Sequence, residues 1–299
     1  MAVNTKAATA TSGYQRVVSP TAKAARVARV VFLYAILTIM AVALLVPLVY
    51  MFSTTLKRPG TELALPPQWI PDPIWWQNYP DTFAMRPFFL YLRNTLIIVV
   101  GATSGTLLTA SMAGYTFARL RFRGRGVLFA ITLMTMMLPG IVTMIPTFII
   151  FRSIGWVNTL YPLFVPAWFG GGAFNIFLFR QFFMTLPYEL DEAARIDGAG
   201  YFRIYWQVLA PLSRPVLATV AIFSFINHWN EFMGPLIYLN SRKWFTLSLG
   251  LQTFRSEFEV RWANMMVAST LMTVPCLLIF FFFQRYFLRG VVMSGIAGR

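Results

Sequence analysis

The sequence predicts an all-α polytopic membrane protein with six transmembrane helices. Three observations carry this expectation. The 299 residues are 58% hydrophobic and only 12% charged, with a mean hydropathy of +0.63, whereas a soluble domain carries about 25% charged residues. Six runs nearly free of charge are each long enough to cross a hydrocarbon core, which takes roughly 20 apolar residues. Repeated alternating segments of about ten residues, the pattern of a membrane β-barrel, do not occur.

The runs are Val31 to Leu56, Asn94 to Ala118, Gly126 to Phe151, Ser153 to Phe179, Pro215 to Ser241 and Trp262 to Gln284. Only Glu231 interrupts the fifth. The first run follows a mostly polar stretch and lacks a nearby small-residue cleavage site, so it reads as a retained helix and not a signal peptide. These runs divide the chain into a tail (1–30), an accessory first helix (31–56), an outer segment (57–93), a five-helix core (94–290) and a second tail (291–299).

The formal charge of +15 would point to nucleic acid in a soluble protein. Here the basic residues lie between apolar runs, where orientation signals belong, so no nucleic-acid partner is expected. Sixteen Lys and Arg fall in 1–30, 119–125, 180–214 and 285–299, against nine on the opposite side. Arg119, Arg121, Arg123 and Arg125 crowd into one seven-residue turn. Both termini are therefore expected in the cytoplasm. The single cysteine, Cys276, excludes an intrachain disulfide and a cysteine-based zinc site.

The outer segment is rich in Pro and Trp, including Pro66, Pro67, Trp69, Pro71, Pro73, Trp75 and Trp76. Regular helix throughout is excluded. Its tryptophans suit the headgroup level or a docking partner. Pro139 and Pro146 in the third run, and Pro162 and Pro166 in the fourth, are expected to bend their helices. Gly170, Gly171 and Gly172 admit close packing or a loosened span.

The loop between the fourth and fifth runs, residues 186–215, holds most of the information. It reads as a short helix, a break at Gly198 and a second short helix. Thr185 is a candidate cap, and Pro187 suits a first turn. Glu189, Asp191 and Glu192 favour a helix N-terminus. Ala193 and Ala194 leave room for another surface. Phe202, Tyr205, Trp206 and Leu209 form an apolar face, with Pro211 and Pro215 expected to stop the helix. An ordinary amphipathic connector is the plain alternative.

Polar residues inside a span require partners or a cavity. Ser224, Asn227 and Glu231 fall at i, i+3 and i+7, and so are expected on one helix face, with His228 and Asn230 beside it. The stripe could line a translocation path or clamp two helices together.

Glu192-Ala193-Ala194, then Gly198, then a hydrophobic stretch ending in Pro211, resembles the EAA motif of binding-protein-dependent ABC importer permeases. Ile196-Asp197-Gly198-Ala199 is similar to the carbohydrate form of that motif. Ala113 to Arg119, Gly155 to Thr159, Trp229 to Phe232 and Gln284 to Gly290 also resemble segments of the family, specifically its maltose and glycerol-3-phosphate importer type. Ala210 departs from the leucine usual before Pro211, and the tail Met293 to Arg299 follows the family's glycine-rich ending only loosely.

The resemblance implies a type I importer permease fold in a bacterial inner membrane. It implies Glu192, Ala193, Ala194, Asp197 and Gly198 as residues that dock on an ATPase, while the polar stripe itself makes Ser224, Asn227, Asn230 and Glu231 the candidates for the substrate path. Implied partners are a second permease, two ATPase subunits and an external solute-binding protein, besides membrane lipid. No cofactor is expected on this chain, with ATP and Mg held by the ATPases, since no G-x-x-x-x-G-K-[ST] loop occurs. No catalytic constellation appears. An ion-coupled secondary transporter, with Glu231 and His228 as proton carriers, is the rival reading.

Overall fold

The computed structural model describes the backbone of residues 20–255 and 261–296, and side chains within 26–255 and 261–284. The exit motif beyond Gln284 therefore lies outside the described side chains, and the end of the tail lies outside the described residues. Among the described residues every regular element is helical, as the apolar runs require. The chain divides into two compact units, Met1–Met51 and Phe52–Arg299.

The first unit contains most of α1 (Pro20–Thr55). From Val30 to Leu45 its side chains are exposed all round and nearly all apolar, among them Phe32, Leu37, Ile39 and Leu44. That pattern marks a membrane span and not a surface helix.

In the second unit, α2 (Asn78–Met85) precedes α3 (Phe88–Arg119). Next come α4 (Arg125–Thr135), α5 (Gly140–Ser153), α6 (Tyr161–Phe164) and α7 (Ala173–Thr185). The loop helices are α8 (Glu189–Ile196) and α9 (Tyr201–Leu212). Then follow α10 (Arg214–Asn230), α11 (Met233–Tyr238), α12 (Leu247–Gln252) and α13 (Trp262–Ile296). Among the described residues, four helices or helix groups are each long and apolar enough to cross a membrane, and taking each of two bent pairs as one span gives six.

The bends follow the breakers. α4 and α5 meet at 98°, with Pro139 extended between them at φ −61° and ψ 132°. Pro146 sits inside α5. Pro162 and Pro166 open helical segments, where a missing N–H costs nothing. The break in the fourth span comes instead at Gly170, Gly171 and Gly172, all with positive φ, which residues with a Cβ rarely adopt. A Cβ on Gly171 would also lie 2.8 Å from Thr106 Cα.

The central helix is α3, about 48 Å long at 1.5 Å per residue. Its C-terminal half packs against α7, α9 and α10 through Tyr115, Phe179, Phe183, Ile204, Leu209 and Val220. Gly114 brings α3 and α7 together, since a Cβ there would sit 2.9 Å from Arg180 N. Its other half packs through Phe88, Tyr91 and Val99 with Trp229, Leu247 and Ala268.

The end of α3 at Phe88 is tied by polar side chains. Asn94 Nδ2 donates to the carbonyls of Lys243 and Phe245 at 2.9 and 3.0 Å. Leu247 N–H donates to Thr95 Oγ1 at 2.9 Å. Asn158 adopts φ 62°, and its Oδ1 accepts from the N–H groups of Asn240 and Ser241. The outer segment 57–93 packs on this end as well. Asn78 donates to the carbonyls of Thr55 and Lys57, and Asn264 Nδ2 donates to Thr82 Oγ1 at 2.9 Å.

Candidate functional site: the loop helix and the polar end of the fifth span

The loop after α7 begins with Leu186 in an extended conformation, as a residue before proline prefers. Thr185 does not cap α8. Its hydroxyl donates back to Phe182 O, and the N-cap position falls on Tyr188, which provides no side-chain cap. The helix is stopped by chemistry the sequence announces. Gly198 takes φ +77°, its N–H donates to Arg195 O, and Ala199 N–H donates to Ala194 O. This pair of bonds is a Schellman closure, which needs a left-handed residue.

α8 is held to α3 by a buried cluster. Arg119 and Asp191 lie 3.4 Å apart, with side chains 1% and 4% exposed. The pair is close enough for an ion pair but is not aligned as a hydrogen bond. Arg119 Nη2 donates to Leu186 O at 2.7 Å, and its guanidinium lies 4.4 Å from the centre of the Tyr188 ring. The Tyr188 hydroxyl donates to Ala118 O. Burial pushes the Asp191 carboxyl above the ordinary carboxylate value, against the opposing pull of Arg119 and Arg195. The loop also grips α3 higher up, where Tyr115 donates to Tyr201 O and Ser111 bonds Tyr205.

With that side anchored, the opposite side of the loop is free. Glu192, Ala193, Asp197 and Gly198 are exposed, and Ala194 is half-buried against the core. Ile196 is 87% exposed, an apolar side chain with nothing of this chain over it. A Cβ on Gly198 would meet no atom within 4 Å.

The second loop helix differs from its expected face. Ile204, Tyr205 and Leu209 are buried, while Phe202 and Trp206 are exposed and stacked on each other at 6.4 Å. Residues 204–209 form a π-turn, which widens the helix before Pro211. Proline would otherwise collide with the carbonyl four residues earlier, and π-turns absorb such strain. α9 does end here, at Leu212 just after Pro211, and α10 starts at Arg214 with Pro215 in its first turn, the two helices meeting at 80°. Arg119, Tyr115 and Tyr188 were not legible as loop anchors. Their only signal was position at the end of the span and at the start of the loop.

The polar stripe of the fifth span does not survive as one face. Ser224 is buried and shares a hydrogen bond with Thr103 of α3 at 3.1 Å. Asn227 and Asn230 are exposed, with Asn230 Nδ2 donating to Ile226 O. α10 ends at Asn230, and Glu231 is extended at φ −61° and ψ 124°. Its Oε1 accepts from Gly234 N–H at 2.9 Å, and its carbonyl accepts from the Ser248 hydroxyl. Helical spacing cannot apply across that break. The neighbouring Trp229 is 2% exposed, and its indole N–H donates to Met272 O, so it anchors α10 to α13.

Residues 105–293 match the family described as binding-protein-dependent transport system inner membrane component. The chain is 34% identical to the arabinooligosaccharides transport system permease protein AraQ of Halalkalibacterium halodurans, over 82% of this chain and 86% of that one. It is 31% identical to the sn-glycerol-3-phosphate transport system permease protein UgpE of Yersinia enterocolitica, over 88% and 96%. It is 30% identical to the diacetylchitobiose uptake system permease protein NgcG of Streptomyces coelicolor, over 88% and 87%. Its fold is similar to a chain of a bacterial ABC transporter involved in import of the acidic polysaccharide alginate, at TM-score 0.77 and 25% identity, covering 90% of this chain and 98% of that one. The apolar spans, the anchored loop helix and these matches together place the chain in the family of inner-membrane permease components of binding-protein-dependent transport systems.

Proposed function

We propose that this chain is a permease subunit of an ATP-driven carbohydrate importer and that α8 couples it to an ATPase. The carrying observation is the division of α8 into two sides. Asp191 is locked to Arg119, while Glu192, Ala193, Asp197 and Gly198 face outward with the exposed Ile196. A short helix rigid on one side and free on the other can pass a push from a partner into α3.

On this reading a second permease completes the path, two ATPases carry ATP and Mg, and a solute-binding protein delivers substrate at the Phe88 end of α3. Both termini are cytoplasmic. The relatives are named for arabinooligosaccharides, glycerol 3-phosphate and diacetylchitobiose, which share dense hydroxyl groups. That chemistry supports a sugar or polyol as substrate. Asn227, Asn230 and Glu231 are the polar side chains offered to it, with Ser224 reassigned to helix packing.

The test is capture of the co-expressed ATPase by wild type and by Gly198→Trp. The ring meets no atom of this chain near its Cβ, but φ +77° strains any residue with a Cβ, so Gly198→Ala is compared as well, carrying that strain without the bulk. Gly198→Asn, which tolerates a left-handed backbone, is the control. Capture by wild type, Gly198→Ala and the control, with loss in Gly198→Trp, supports coupling. Solute uptake without ATP and without any captured ATPase would favour ion coupling.

A further inference from the structure

The turn between α3 and α4 gathers cations without counter-charges. Arg121 and Arg123 are exposed, and Arg125 follows the left-handed Gly124. Arg180 of α7 lies near enough for its charge to interact with that of Arg125. No carboxylate forms an ion pair with any of the four among the described residues. Arg125 Nη1 donates to Leu120 O, and Arg180 Nε donates to Phe117 O. Their other guanidinium N–H groups have no acceptor among the described residues. Arg119, by contrast, is occupied by Asp191.

The surroundings are apolar. Arg180 lies 4.2 Å from the centre of the Phe129 ring, which packs at 5.4 Å on Phe117. Phe122 is 40% exposed between Arg121 and Arg123, and Val127 and Leu128 just beyond are 66% and 50% exposed. No residue of α4 is buried. The span of α3 ends at Arg119, so the arginines lie at the edge of the hydrocarbon.

We propose that this turn binds an anionic phospholipid, with Arg121, Arg123, Arg125 and Arg180 around its phosphate and an acyl chain along the exposed side of α4. Guanidinium forks match phosphate oxygens in pairs, and the missing charge is negative. A small water-soluble anion would satisfy the arginines and leave Phe122, Val127 and Leu128 uncovered. A lipid satisfies both. The assignment is independent of the coupling role of α8.

The test is native mass spectrometry of the full chain released from bilayers of equal phosphatidylglycerol and phosphatidylcholine. Wild type should retain phosphatidylglycerol about tenfold over phosphatidylcholine, and Arg121→Gln/Arg123→Gln should abolish that preference. Arg203→Gln, at an exposed arginine of α9, should leave it intact. If the double variant does not insert, Arg121→Lys/Arg123→Lys keeps the orienting charge and removes the fork, and retention should fall several-fold. Unchanged retention in the variant read would overturn the site. So would displacement by excess inorganic phosphate, which marks a free-anion site. Lipid held by the isolated chain but lost in the assembled transporter would assign the face to a partner subunit.

Discussion

Arg119, the last residue of α3, and Asp191, in the first turn of α8, face each other at 3.4 Å with both side chains almost wholly buried. Removing one partner strands the other charge. Arg119→Ala or Asp191→Ala should each cost about 3–5 kcal/mol, whereas replacing both by leucine should recover much of that loss. Thermal melting of the purified chain checks this. A double variant as unstable as the worse single one would mean that the pair is not the anchor.

Acidity offers a separate reading of Asp191. Burial raises its carboxyl above the ordinary value of 3.8, and Arg119 and Arg195 only partly offset this. The folded chain therefore holds that proton to higher pH than the unfolded chain. The associated stability is full below the ordinary value and is lost as pH rises through the raised one. The melting temperature of wild type minus that of Asp191→Asn should fall with rising pH across that window. A flat difference would contradict the burial effect.

Close approach of α3 and α7 depends on Gly114. A methyl group there would press on the backbone of Arg180 at 2.9 Å, and backbone does not swing aside. Gly114→Ala should destabilise by about 1–3 kcal/mol. Melting of Gly126→Ala, at a glycine with open space around it, provides the comparison.

Asn158 serves its turn twice, by its φ of 62° and by accepting from Asn240 and Ser241. Asn158→Asp keeps the acceptor, Asn158→Gly keeps only the backbone, and Asn158→Ala keeps neither. Stability should fall in that order, with the left-handed backbone alone contributing about 1–2 kcal/mol. Proteolysis rates of the three variants would reveal the ranking, and Ala outlasting Gly would refute it.

Glu231 caps the N–H of Gly234. Glu231→Gln preserves an acceptor oxygen and should fold and assemble as wild type, whereas Glu231→Ala should lose about 0.5–2 kcal/mol. Transport lost in Glu231→Gln with assembly intact would assign the carboxylate charge to the path. Transport retained in it would leave Glu231 a cap alone.

By itself the sequence determined the solvent of this protein, its helical class and the place of its loop helix. Those follow from local quantities: the length of apolar runs, the spacing of charges, and a glycine where α8 must close at Gly198. Only the tertiary structure decided which polar residues belong together. Asp191 reads in sequence as one of three acids at a helix start, and Arg119 as one of four arginines in a turn. Their pairing joins residues far apart in the chain, and no local period encodes it. The same reason explains the stripe of the fifth span. Ser224, Asn227 and Glu231 share a face only if the helix continues, and packing around Trp229, with the bonds from Gly234 and Ser248 to Glu231, ends it at Asn230. The second loop helix is a further case: Tyr205 and Leu209 are buried while Phe202 and Trp206 are exposed, a division set by packing against α3, where Ser111 bonds Tyr205, and not by any local period.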